Sequence, residues 1–365
     1  MQNEHAYLIG VRNMLIACAG ARVGDRLLIL REDPALGYYG YGLDSAIMRG
    51  AESLGLSVTL LDVPVYPDVD ELPVELEPAF QKADHALFLA RLGDQIRFLQ
   101  APGGASAVVS YVLDTEMLAS PFATAPYEAF LALKQSLDTL FRSAEHVRVT
   151  CARGTDFAGR APETKESKPM DVTVKRFPMS VFAPLDARGF SGRIAVDHFL
   201  VGTGSRYYEP YGIPLETTVF ADLQRGRIAQ WDGPPEITTR VRAHYAFVAD
   251  RSGIDANAVH SWHAGIHPAC AYRQPAEDQF ERWSGGAFGN PRLLHFHTCG
   301  SYAPGEICWN IVDPTIEVDG RAVWKAGVID LDAIPGASEV VQAYPEVAPL
   351  FESPARDIGI KRANA

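Results

Sequence analysis

The sequence predicts an α/β protein: an N-terminal parallel α/β sheet domain, then a C-terminal antiparallel, β-rich α+β domain. Three observations predict it. Residues 1–150 alternate short apolar runs with helical periodicity. A polar stretch, Ala152 to Met170, breaks that rhythm. Beyond it, strand patterns and hairpin turns dominate. Strands separated by helical segments pair in parallel, whereas strands joined by tight turns pair antiparallel.

In chain order, Leu8 to Ala21 reads as a helix and Arg26 to Arg31 as a buried strand. Ser45 to Leu54 is helical and Leu56 to Asp62 is the next strand. A polar helix from Pro78 to Ala83 leads to the strand His85 to Ala90, and a longer helix, Tyr127 to Phe141, to the strand His146 to Cys151. Residues 1–152 form the first domain, 153–170 a linker or surface loop, and 171–365 the β-rich domain with the candidate site. In the second half, strands are expected at Asp171 to Arg176, Arg193 to Val201, Thr217 to Leu223 and Arg227 to Trp231, then a helix from Thr238 to Phe247. Strands resume at Leu293 to Thr298, Glu306 to Val312, Thr315 to Val318 and Arg321 to Lys325. Gln224-Arg-Gly226 and Val318-Asp-Gly320 suit hairpin turns. A short helix, Ala337 to Ala343, and a basic end close the chain.

Composition narrows the function. The 365 residues carry 47% hydrophobic and 21% charged residues, ordinary for a globular protein. A net charge of −12 without a basic block excludes a phosphate-neutralising nucleic-acid face. No apolar run approaches the roughly 20 residues of a membrane span, and the run after Arg12 reads as a first helix, not a signal peptide. Five cysteines (Cys18, Cys151, Cys270, Cys299, Cys308), with no CxxC pair, point to free thiols and a cytoplasmic, reducing compartment.

Five of the ten histidines fall between His260 and His297. On a strand, alternate residues share a face, so His295 and His297 project together and offer a two-imidazole metal grip. Taken singly, each is better explained as one core and one surface histidine. The same alternation projects Glu306, Cys308 and Asn310 together. A carboxylate beside a thiol can ligate a metal or activate a nucleophile, although a solvated Glu and an inert buried Cys give the same pattern. His260, His263 and His267 stand three and four apart; Gly265 and Pro268 limit any helical pairing to His260 and His263. His260 or His263, His295 or His297, and Glu306 therefore make a 2-His-1-carboxylate set for Fe(II), with Zn or Mn as alternatives. His260, His263, His297 and Glu306 are the candidate ligands. His295 is the candidate proton acceptor and Cys308 the candidate nucleophile. The tyrosines at 38, 39 and 41, and those in Arg206 to Tyr211, offer an aromatic wall for a substrate or ordinary core residues.

Two stretches resemble one superfamily: Asn13 to Leu30 with Ala51 to Thr59, and Ile311-Val-Asp313-Pro-Thr-Ile-Glu317-Val-Asp-Gly320 running on to Gly327. They are similar to the leucyl aminopeptidase T metallopeptidases and their relative 2,5-dihydroxypyridine 5,6-dioxygenase, with the order of elements matching over nearly the whole chain. Gly265-Ile-His-Pro268 resembles the family's Gly-x-Asn-Pro turn. Where the family has His-x-Asp before the Asp-Pro strand, this chain has Glu306-Ile-Cys308 or, shifted by two, Cys308-Trp-Asn310; Ser180 stands at the peptidase glutamate. The resemblance implies a metal-dependent enzyme nearer the dioxygenase branch, its metal site rebuilt from Glu306 and local histidines. It implies a small, polar, N-heteroaromatic substrate and a homo-oligomer. The alternatives are an aminopeptidase-like or amide C–N hydrolase using metal-bound water or Cys308, and a ligand-binding member without catalysis.

Overall fold

The computed structural model describes residues 2–66, 69, 71–97, 104–162, 173–202, 208–300 and 305–360. The chain divides into two compact units: Met1–Leu131 with Ser167–Met179, and Ala132–Glu166 with Ser180–Ala365.

The first unit holds a five-stranded parallel sheet in the order Ser57–Asp62, Arg26–Arg31, His85–Leu89, Ser106–Ser110, Lys175–Phe177. Its central strands read as unbroken apolar runs because both faces are covered; His85–Leu89 is buried at every position. Ser106–Ser110 has no counterpart among the strands expected from sequence, and Lys175–Phe177 falls on one expected in the β-rich half. Lys175–Phe177 instead returns from the distal part of the chain to pair in parallel with Ser106–Ser110. The N-terminal helix, Gln2–Arg12, continues as a π-helical turn, Asn13–Cys18. Buried Asn13 locks it: Nδ2 donates to the Ala123 and Ala125 carbonyls and Oδ1 accepts from Tyr127 N–H.

The second unit contains two antiparallel sheets. One runs Gly212–Pro214, Phe199–Val201, Glu306–Val312, Leu293–Cys299, Val259–Ala264, Leu185–Asp186. The other has eight strands, among them Ile228–Asp232, Val219–Gln224, Phe190–Val196, Asp156–Gly159, Val147–Thr150 and Thr315–Val318. Val147–Thr150, expected to extend the parallel alternation, pairs antiparallel on both sides here. Asp156–Gly159 lies inside the segment read as a linker or surface loop, and its Phe157 is a core residue. Residues 163–170 of that segment, like Asp171 and Val172 of the next expected strand, lie outside the described residues.

Period-2 alternation separates the two faces of the six-stranded sheet. Trp262, Phe296 and Trp309 point one way and pack edge-on against Phe157, Phe190 and Trp231 of the eight-stranded sheet, with ring centroids 5.2–5.7 Å apart. The residues between them in sequence point the other way. That second face carries the histidines.

Candidate metal centre

Register places the functional side chains. His263 lies directly across from His295, and His295 across from Asn310; His297 lies across from Cys308, and Cys299 across from Glu306. Directly opposed residues share a face, so three strands contribute one array of imidazole, thiol, carboxylate and amide. His260 and His263, which a helix would bring to one face, lie instead on the strand Val259–Ala264. A register shift between Val259 and Ser261 interrupts its pairing. His260 points away from the array and bonds the Cys299 carbonyl at 2.9 Å through Nε2. The structure brings His263, His295, His297, Glu306 and Cys308 together and leaves His260 outside. His267 is fully buried beyond the strand, and its burial pushes the imidazole down to about 3.

The array is nearly closed to solvent: His263 and His295 are each 3% exposed, Glu306 1% and Cys308 0%. The His263 and His295 ring centroids are 4.1 Å apart, and those of His263 and His297 5.0 Å. One nitrogen from each of these three rings falls within 4.8 Å of the others, so they form a group able to hold a metal ion. His297, Glu306 and Cys308 form a second such group.

The hydrogen bonds say which ring nitrogens are available. His263 Nδ1 faces the Phe182 carbonyl at 2.8 Å, an acceptor only, so Nδ1 carries the hydrogen. His297 Nδ1 donates to the Glu306 carboxylate. In neutral rings both Nε2 atoms are then left with lone pairs, yet they face each other at 3.1 Å. Two opposed lone pairs repel unless a proton or a cation lies between them. A separation of 3.1 Å also suits two nitrogens sharing one ion at bonds of about 2.0–2.1 Å. A carboxylate behind one imidazole and a backbone carbonyl behind the other is the usual outer shell of metal-binding histidines. The donor set therefore fits a divalent metal. Glu306, expected as a ligand, sits on the Nδ1 side of His297, away from His263.

Two phenylalanines not singled out from sequence, and one tyrosine that was, complete the walls. Phe288 stacks on His295 with centroids 4.1 Å apart and planes at 16°. Phe182 meets His263 edge-on. The Tyr208 hydroxyl donates to the Glu306 carbonyl at 2.6 Å, and burial pushes its phenol well above its usual range, with Cys308 and Glu306 adding to the rise. Tyr208 and Tyr211 belong to the tyrosine cluster noted in the sequence; Arg206 and Tyr207 lie outside the described residues. The other cluster divides: Tyr38 and Tyr39 are buried, whereas Tyr41 is exposed. Phe288 had no local signal, because its partner is brought to it only by folding.

The parallel-sheet unit and the two-sheet unit make an α/β scaffold with similarity to solved structures. One is 2,5-dihydroxypyridine dioxygenase from Pseudomonas putida KT2440, similar over 90% of this chain and 98% of that chain, with a TM-score of 0.60 and 14% identity. At that identity the likeness is one of fold. Wild-type AmpT from Thermus thermophilus aligns over 88% of this chain and 98% of that chain, at 13% identity and a TM-score of 0.47. No protein-family model matches the chain, and no curated protein does. Among the described residues, no helix is long and apolar enough to cross a membrane.

Proposed function

We propose that this chain is a metal-dependent enzyme for a small, polar, N-heteroaromatic substrate, acting in the manner of a ring-cleaving Fe(II) dioxygenase. The observation that carries the reading is the pair of Nε2 atoms facing each other at 3.1 Å, each ring fixed from behind by an acceptor. His263 and His297 would hold the ion through Nε2, with His295 as third ligand in place of the proton-accepting role read from sequence. O₂ chemistry of the dioxygenase kind favours Fe(II) among the divalent metals. Bound iron would supply a centre at which a ring hydroxyl and O₂ meet.

The chain's own residues do the rest. Glu306 and the Phe182 carbonyl fix the tautomers, so no ring must rotate for the site to work. Phe288 holds His295 flat. The closed face keeps water from the reacting groups. Five free cysteines support a reducing, cytoplasmic setting. The homo-oligomeric state is carried over from the resemblance alone.

A second reading, a hydrolase using metal-bound water, is favoured by one observation: three neutral imidazoles leave the ion's charge undiluted by a ligating carboxylate. Oxygen uptake separates the two. Protein loaded with Fe(II) without air is expected to consume O₂ with 2,5-dihydroxypyridine or a related hydroxypyridine and to stop after chelation. Full turnover in exhaustively chelated protein ends both readings. Turnover without O₂ uptake leaves the hydrolase.

A further inference from the structure

Asn310 is 1% exposed, and neither its Nδ2 nor its Oδ1 has a hydrogen-bond partner among the described residues. Other buried asparagines of this chain behave differently. Asn13 uses both ends of its amide in three bonds. Asn290 donates to the Cys270 and Ala355 carbonyls and accepts from Arg292 N–H. Buried polar groups are almost always paired, because leaving them unmade costs stability; an exception asks for a missing partner.

The position of Asn310 says where that partner belongs. It shares a face with Glu306 and Cys308 and lies directly across from His295, at a Cβ separation of about 5 Å for such a pair. The amide thus borders the imidazole array. A carboxamide offers one acceptor beside one donor. Its complement is a ligand edge with N–H beside C=O. A carboxylate presents two acceptors and would oppose Oδ1. In a site shut off from water, such matching discriminates strongly.

We propose that Asn310 is a specificity-determining residue that reads the amide-type edge of a neutral ligand held over the imidazoles. The inference rests on the reading of this face as a ligand site, and it adds a substrate feature: an amide, lactam or imide group in preference to a carboxylate.

The test is calorimetric titration of the full chain with benzamide and with benzoate as control, before and after Zn(II) loading. The variants are Asn310→Leu and Asn310→Asp, and metal content is read by elemental analysis. Benzamide is expected to bind wild type more tightly than benzoate. Asn310→Leu is expected to weaken benzamide roughly 10- to 100-fold, the loss of two hydrogen bonds, and to keep its metal. Its thermal midpoint should hold or rise, because an apolar group of similar shape replaces an unpaired amide. Asn310→Asp is expected to reduce the benzamide preference.

A fall in midpoint for Asn310→Leu would mark Asn310 as structural and overturn the proposal. So would unchanged benzamide affinity, equal binding of benzoate, or no binding of benzamide to wild type. Metal loss in Asn310→Leu with benzamide binding intact would make it a metal-holding group, which also overturns it. Wild type that takes up no metal yet prefers benzamide sinks the metal reading alone.

Discussion

Glu306→Gln isolates the carboxylate behind His297. Glu306 is 1% exposed at its side chain and accepts from His297 Nδ1, so glutamine keeps the shape and an acceptor but removes the charge. The site's logic makes Glu306 an orienting group, not a ligand. Loss of such outer partners costs about 10- to 100-fold in metal affinity, or roughly 1.4–2.7 kcal/mol. Glu306→Ala also strands a nearly buried N–H and belongs at the upper end of that range. His263→Ala removes a metal bond outright and is expected to cost more than either. The assay is Zn(II) competition against a chromophoric chelator at neutral pH, which avoids iron redox chemistry. The expected order of affinity is wild type, Glu306→Gln, Glu306→Ala, His263→Ala. If Glu306→Ala and Cys308→Ala lose more than His263→Ala, the reasoning is refuted: the ion then sits among His297, Glu306 and Cys308.

Three further outcomes follow from packing and burial. Asn13→Leu removes three buried hydrogen bonds and strands two carbonyls and one N–H, so denaturant unfolding should show a loss of about 3 kcal/mol; a change below about 1 kcal/mol contradicts this. Burial holds His267 at about 3 and His244 at about 4, below the ordinary imidazole value of 6.5. As pH falls below 6.5 the unfolded chain takes up these protons and the folded chain does not, so stability, complete above 6.5, declines towards pH 4 and 3. The slope is up to about 1.4 kcal/mol per pH unit for each histidine, and His244→Phe should flatten it in urea unfolding at neutral pH and about pH 5; an unchanged slope speaks against the assignment. Burial pushes Cys18, Cys270 and Cys299 up to about 12, and Cys308 is closed to solvent, so iodoacetamide followed by mass spectrometry should label half-buried Cys151 first in the folded chain. Labelling of Cys308 at the rate of Cys151 would show the array open.

Much of this architecture was legible because it follows local periodicity. The apolar runs at Arg26–Arg31 and His85–Leu89 and the alternation of Leu293–Cys299 and Glu306–Val312 each fix an element and its faces without knowledge of any partner. The shared face of His295 and His297 followed directly. What sequence could not give was pairing. Lys175–Phe177 reads as one more strand of the second half until its parallel partner, Ser106–Ser110, is known. Val259–Ala264 is short enough for a helical and an extended reading to fit its histidines equally, and only its register against Leu293–Cys299 separates His263 from His260. The role of Glu306 also needed coordinates: spacing put it on the right face, but the nitrogen of His297 that it meets is a three-dimensional fact.

The most direct test is anomalous diffraction from crystals of freshly purified protein, at the absorption edge of the metal found by elemental analysis. The account requires one peak per chain, bonded to Nε2 of both His263 and His297, with Glu306 behind the His297 ring. Crystals with no peak there, in protein that refuses added Fe(II) and Zn(II), would mean that a shared proton joins the two imidazoles and that the face is not a metal centre.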